Sequence, residues 1–116
     1  MELEYLEEIK EDVEELIRAT KKFGSEFKAC VARVIHENDL YMSSEKPVEM
    51  ACHYIAIAAY AVITDNIKNL DSKVLDKIKQ SYEIINSGRY DKYFTEEDKK
   101  YIKEDINTIN NSDLLK

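Results

Sequence analysis

Two histidines and two cysteines are the residues of this chain best suited to metal binding or catalysis. Glu49 and His53 are four positions apart, so on a helix they share one face. Helical proteins that bind two iron or manganese ions use a Glu-x-x-His spacing that recurs on two helices. Here the spacing is one residue longer and occurs once, and Cys30, His36 and Cys52 add no second motif. The sequence therefore predicts no metal site and no cofactor.

A line of polar residues runs along the helix predicted after Pro47. Helical spacing places Glu49, His53, Tyr60 and Thr64 on one side. They can mark the exposed or half-exposed edge of the helix, with His53 a half-buried core histidine satisfied by Glu49 or a tyrosine. Alternatively, they can line a small ligand pocket between helices or subunits. The exposed or half-exposed edge is favoured, because one helix alone cannot define a pocket. A metal- or His/Glu-dependent enzyme that uses Glu49 and His53 is the third possibility.

The segment from Met50 to Ile63 contains no formal charge, although 35% of all residues are charged. Its fourteen residues are too few to span a membrane, which takes about twenty apolar residues. Five of them are alanines, which let neighbouring helices approach closely. The segment therefore predicts a central core helix from Pro47 to about Asn69, and no membrane association.

Apolar residues at alternating spacings of three and four predict a long first helix, from about Glu2 to Asn38. The alternative is a break at Gly24, with Ser25 capping a second helix. Continuity is favoured because the pattern crosses Gly24 unbroken. The seam consists of Leu6, Ile9, Val13, Leu16, Thr20, Phe23, Phe27, Cys30 and Val34.

An unbroken first helix has a consequence for assembly. Thirty-seven residues would extend for about 55 Å, well beyond the other helices. The projecting seam would need a cover, and a symmetric dimer is the commonest cover among soluble proteins. The sequence therefore predicts a homodimer with the first helices in or near the contact.

Two shorter helices are predicted in the second half of the chain. Asp71 can cap one that runs through Ser87 and stops at Gly88. Thr95 can begin the other, with Asp98 completing a capping box. The tail "NNSDLLK" is expected to fray.

The chain has only two glycines and one proline, residues that turns favour, and this indicates few and long helices. The predicted fold is one all-α domain over residues 1–116. Its architecture is an antiparallel bundle of four helices, or five if the first one breaks at Gly24.

Acidic residues are concentrated at the N-terminus. Residues 1–15 contain eight acids and one base, a balance of −7 that equals the formal net charge of the whole chain. This face can be a solvated surface or a docking surface for a protein partner with a basic surface. Direct binding to nucleic acid is not predicted, because phosphates would be repelled. The candidate partner-binding acids are Glu4, Glu7, Glu8, Glu11, Asp12 and Glu15.

The loop "SGRYDKYFTEE" is a second candidate contact surface. Arg89, Tyr90, Tyr93 and Phe94 are of types that protein interfaces favour. The alternative, which is favoured, is that the aromatic side chains plug one end of the bundle.

No phosphate-binding loop, nucleophile elbow or HExxH motif occurs in the sequence. The favoured function is a non-enzymatic protein that binds a macromolecular partner and inhibits or regulates it. Immunity proteins, antitoxin-like partners and phage anti-defence inhibitors are examples of this class. The alternative is a small-ligand-binding or sequestering protein. The N-terminus is acidic, unlike a signal peptide, and the spacing of the two cysteines does not indicate a disulfide framework. Both features predict a cytoplasmic location.

Overall fold

A computed structural model describes residues 6–38 and 47–115, with side chains from Ile9 onward. Short 3-10 helices at Ile67–Asn69 and Asp91–Tyr93 join the longer elements, and no strand occurs within the described ranges. The all-α prediction is confirmed, in its five-helix form. The α-helices are α1 (Leu6–Lys22), α2 (Phe27–Glu37), α3 (Pro47–Ile63), α4 (Ser72–Asn86) and α5 (Glu96–Asn110).

The chain breaks between α1 and α2, so the predicted continuous helix from Glu2 to Asn38 is wrong. Gly24 has a φ of +83°, a left-handed conformation that glycine adopts without a side-chain clash. Its N–H donates to the Lys21 carbonyl at 2.9 Å and closes the last turn of α1. Phe23, a member of the predicted seam, is 88% exposed at this turn.

The break limits the described part of the first helix to 17 residues, or about 26 Å. The predicted projection of a helix of about 55 Å is therefore wrong, and the reason for the homodimer that rested on it is removed. The homodimer itself stays a prediction.

Helix α3 lies at the centre of the fold, in contact with α1, α4 and α5. All residues from Met50 to Ala59 are buried, and so is Ala61. Ala51, Ala58 and Ala61 are fully inaccessible, so the neighbouring helices approach the α3 backbone closely. This arrangement is compatible with the predicted bundle. Within the described residues, no helix is both long and apolar enough to cross a membrane.

Helix α3 ends at Ile63 rather than near Asn69, which corrects the predicted boundary. The Thr64 hydroxyl donates to the Tyr60 carbonyl at 2.7 Å, and Asp65 adopts a positive φ of 57°. Short polar side chains of this kind compete with the helix for backbone hydrogen bonds. The helix therefore ends at Ile63, where the polar residues Thr64 and Asp65 follow it.

The caps of α4 and α5 agree with the sequence. The Asp71 carboxylate accepts from the backbone N–H groups of Lys73 and Val74 at 2.8 and 3.3 Å. Thr95 and Asp98 form the predicted capping box, with distances of 3.0 and 3.1 Å. These bonds satisfy N–H groups that the first turn of a helix leaves without an internal partner.

A hydrogen bond links the last two helices, and the tail packs onto the core. The Tyr82 hydroxyl of α4 donates to the Asn110 side chain at the end of α5, at 2.6 Å. Leu114 is only 5% exposed and belongs to the main core. The predicted fraying of the tail is therefore wrong at Leu114, because this side chain has a core contact to hold it.

Candidate functional site

The described part of α1 presents an acidic surface to solvent. Glu11, Asp12 and Glu15 are exposed. Glu14 is half-buried, and its carboxylate accepts a hydrogen bond from the Arg18 guanidinium at 3.2 Å. We call Glu11, Asp12 and Glu15 the acidic face of α1.

The opposite side of α1 explains why these acids face outward. Val13 and Ile17 are each 1% exposed and belong to the main core. Anchoring one side of an amphipathic helix leaves its polar side to solvent. Of the other predicted acidic residues, Glu4 lies outside the described residues. Glu7 and Glu8 belong to α1, but their side chains also lie outside the described part.

The C-terminal end of α1 has the opposite charge. Arg18, Lys21 and Lys22 are exposed there and line an open groove of about 420 Å³. Tyr60 of α3 and Thr64, which directly follows this helix, form its other side. The Arg18 guanidinium carbon lies 6.0 Å from the centre of the Tyr60 ring, a cation–π contact. We call this feature the basic groove.

The predicted polar line on α3 is split by the fold. Tyr60 and Thr64 line the basic groove, whereas Glu49 and His53 do not. Thr64 is exposed, as the edge interpretation predicts, but His53 is only 6% exposed. The exposed-edge expectation is therefore wrong for His53, since its side of α3 is covered by packing.

The buried imidazole of His53 is satisfied by its own helix. Its Nδ1 lies 2.7 Å from the Glu49 carbonyl, and a carbonyl only accepts, so Nδ1 carries the proton. Burial lowers the pKa of His53, while the Glu49 carbonyl and the carboxylates of Glu49 and Asp12 oppose that shift. Among the described residues, no group of three or more His, Cys, Asp or Glu side chains could hold a metal ion.

An ion pair that the sequence reasoning missed joins α1 to α5. The Lys10 ammonium lies 2.8 Å from an Asp105 carboxylate oxygen, with side chains 24% and 10% exposed. Burial raises the pKa of Asp105, and the Lys10 ammonium offsets part of that shift. The available signal was that Lys10 is the only base among the first fifteen residues. A cavity of about 10 Å³, about the space that one water molecule needs, lies beside the pair.

The aromatic loop is divided between surface and core. Arg89 is exposed, and the half-buried rings of Tyr90 and Tyr93 stack with centres 6.2 Å apart. Phe94 is 9% exposed and packs with Cys52. Phe94 is therefore the plug that the sequence favoured, and only the preceding residues of this loop offer a contact surface.

Comparisons with known proteins assign no family to this chain. No family model matches it, and no match was found among curated proteins or solved structures. Its function is therefore argued from the acidic face of α1, the basic groove and the aromatic loop.

Proposed function

We propose that this protein is a small acidic interaction protein that binds a macromolecular partner and inhibits or regulates it, without catalysing a reaction itself. The partner is a protein with a basic surface, and the encounter takes place in the cytoplasm. Immunity proteins, antitoxin-like partners and phage anti-defence inhibitors act in this general manner. The acidic face of α1 is the main contact, and Arg89, Tyr90 and Tyr93 form a second one.

The observation that carries this proposal is the exposure of Glu11, Asp12 and Glu15 on a helix whose other side is fixed. Because Val13 and Ile17 are buried, the carboxylates stand on a rigid element. Glu11 and Glu15 are also like charges four positions apart, a spacing that destabilises a helix by about 0.2–0.5 kcal/mol. These acids lower the stability of their own helix, and this supports a role for them in recognition.

The acidic face acts through its electrostatic potential. The chain carries a formal net charge of −7, and residues 1–15 account for that value. A concentrated charge accelerates the encounter with a surface of opposite sign and fixes its orientation. Once docked, the carboxylates form ion pairs with cationic side chains through which the partner binds its own ligand. These include cationic side chains that bind phosphate groups.

Affinity capture from cells of the source organism tests the proposal. One bait is the wild-type chain, and the other carries Glu7→Gln, Glu8→Gln, Glu11→Gln and Asp12→Asn, here called the α1 variant. Mass spectrometry should identify a protein that is retained by the wild type and lost from the α1 variant, since the variant removes four acids from the binding helix.

A matched control removes four acids elsewhere. Glu26→Gln, Asp65→Asn, Asp76→Asn and Glu83→Gln are substitutions at exposed positions outside α1. This control bait should retain the partner, because its net charge changes equally while the acidic face stays intact. Equal recovery of every captured protein on the wild type and on the α1 variant would contradict the proposal.

The basic groove supports a second candidate function, the binding or sequestering of a small anionic ligand. Its volume of about 420 Å³ falls within the usual range of ligand pockets, about 300–1,000 Å³. Arg18, Lys21 and Lys22 supply positive charge, and Tyr60 supplies an aromatic ring against which a planar ligand can stack.

A thermal-shift screen with nucleotides and other phosphorylated metabolites tests this second function. A ligand of the groove should raise the melting temperature of the wild type. The shift should disappear in a variant with Arg18→Gln, Lys21→Gln and Lys22→Gln. A shift that persists in this variant would place the ligand elsewhere, and the absence of any shift would remove support for the groove as its site.

A further inference from the structure

The outer face of α1 carries a charge pattern that is its own complement when the helix is reversed. Glu11, Glu15, Arg18 and Lys22 are all exposed. Their spacings of four, three and four keep them within about 60° of the helix circumference. The N-terminal half of this stripe is acidic and its C-terminal half is basic. We call these four residues the α1 stripe.

An antiparallel second copy of α1 brings opposite charges together along the whole stripe. Glu11 then lies opposite Lys22 of the second copy, and Glu15 lies opposite Arg18. Two-fold symmetry repeats both pairs, so all eight charges of the two stripes are matched, while Arg18 also bonds to Glu14 of its own helix. A parallel arrangement would place each acid against the same acid, and each base against the same base.

We propose that the α1 stripe is a self-association surface, on which a second copy of this chain docks antiparallel about a two-fold axis. A two-fold contact uses the same patch on both subunits, so that patch must complement itself. The α1 stripe meets this requirement through charge. The inference depends neither on a long continuous first helix nor on the proposed macromolecular partner.

The surroundings of the α1 stripe also suit a second copy. Ala19, exposed beside the stripe, is small enough for two helix backbones to approach closely. Phe23, 88% exposed, follows directly after the stripe, so an antiparallel helix running past it removes apolar surface from water. The basic groove borders the same end of α1, where the acidic N-terminal half of the second helix arrives.

The contact should be weak and dependent on salt. Exposed ion pairs are individually small contributions, and salt screens them. Self-association is therefore expected at high protein concentration in about 10 mM salt, where the Debye length is about 30 Å, and should be lost in about 1 M salt, where it is about 3 Å.

Charge reversal on either half of the α1 stripe tests the geometry. One variant carries Glu11→Lys with Glu15→Lys, which makes the stripe wholly basic. The other carries Arg18→Glu with Lys22→Glu, which makes it wholly acidic. In sedimentation equilibrium at about 10 mM salt, each variant alone should self-associate at least about tenfold more weakly than the wild type, since every matched pair becomes repulsive.

An equimolar mixture of the two variants should restore association, as a heterodimer, because the basic stripe then faces the acidic one. The chain with all four substitutions should restore the homodimer, because its pattern is again complementary to itself. Only the restored homodimer is specific to the antiparallel pairing, because a wholly basic stripe attracts a wholly acidic one in either orientation. The restored heterodimer shows that both variants with two substitutions still fold.

Matched controls place the same charge changes on α4. Asp76→Lys with Glu83→Lys, and Lys73→Glu with Lys79→Glu, alter exposed side chains away from the α1 stripe. Both controls should associate more strongly than the stripe variant of equal charge. A wild type that is monomeric at about 10 mM salt, or a variant mixture that stays monomeric, would overturn the proposal. Variant Arg18→Glu with Lys22→Glu keeps the acidic face, so partner capture by this variant tests the proposed function separately.

Discussion

Helices α1 and α3 have the same length, 17 residues, but opposite compositions. Helix α1 contains ten charged residues, whereas α3 contains one, Glu49. Ten consecutive residues of α3, Met50 to Ala59, are buried, while α1 buries only Val13 and Ile17 among its described side chains. Burial is therefore concentrated on α3, whereas the outer side of α1 is exposed to solvent.

The largest expected effect of a substitution is on α3. Ala58 is fully inaccessible, so Ala58→Leu should overpack the core and lower the free energy of unfolding by about 1–3 kcal/mol. The matched control on α1 is Ala19→Leu, at an exposed position, which should change stability by no more than about 0.5 kcal/mol. Chemical denaturation measures both, and equal effects would show that the two helices do not differ as described.

The second prediction concerns the ion pair that fixes α1 to α5. Asp105→Ala leaves the partly buried Lys10 ammonium without its partner and should cost about 1–2 kcal/mol. The matched control is Glu37→Ala, which breaks the pair with Arg33, whose side chains are 46% and 57% exposed. An exposed pair should contribute at most about 0.5 kcal/mol. A larger loss in the control would contradict the structural role of Lys10 and Asp105.

The third prediction concerns pH. In the folded protein the pKa of His53 lies below its ordinary value of 6.5, mainly because the side chain is buried. The unfolded chain therefore binds a proton more readily, and stability should fall as the pH drops through 6.5 toward the pKa of the folded state. His53→Gln should reduce this dependence in denaturation measured at several pH values, whereas His36→Gln, at an exposed position, should leave it in place. An identical pH dependence in His53→Gln would argue against the buried neutral histidine.

Local signals in the sequence were enough to predict where α4 and α5 begin. Asp71, Thr95 and Asp98 cap their helices through bonds to N–H groups two or three residues away. Such bonds depend on neighbours in the chain, so residue type and spacing are sufficient to predict them. The absence of formal charge between Met50 and Ile63 predicted that most of α3 is buried, because a helix that is apolar on nearly all sides is surrounded by protein.

The break at Gly24 and the burial of His53 depend on tertiary structure. The heptad pattern continues through Gly24 in the sequence, but folding α2 back leaves Phe23 exposed and buries Phe27. His53 belongs to a polar line whose exposure depends on the helices packed against α3. The basic groove likewise joins side chains from α1 and α3 that are far apart in sequence, and no spacing rule could bring them together.

The most direct test of the account is a paired measurement on the α1 variant, which removes four acids and no apolar side chain. Its unfolding midpoint should equal or slightly exceed that of the wild type, because like-charge repulsion within the helix is relieved. Its affinity for the captured partner should fall by about tenfold or more and should depend less on salt. Unchanged affinity with unchanged salt dependence would contradict the claim that α1 carries the binding surface.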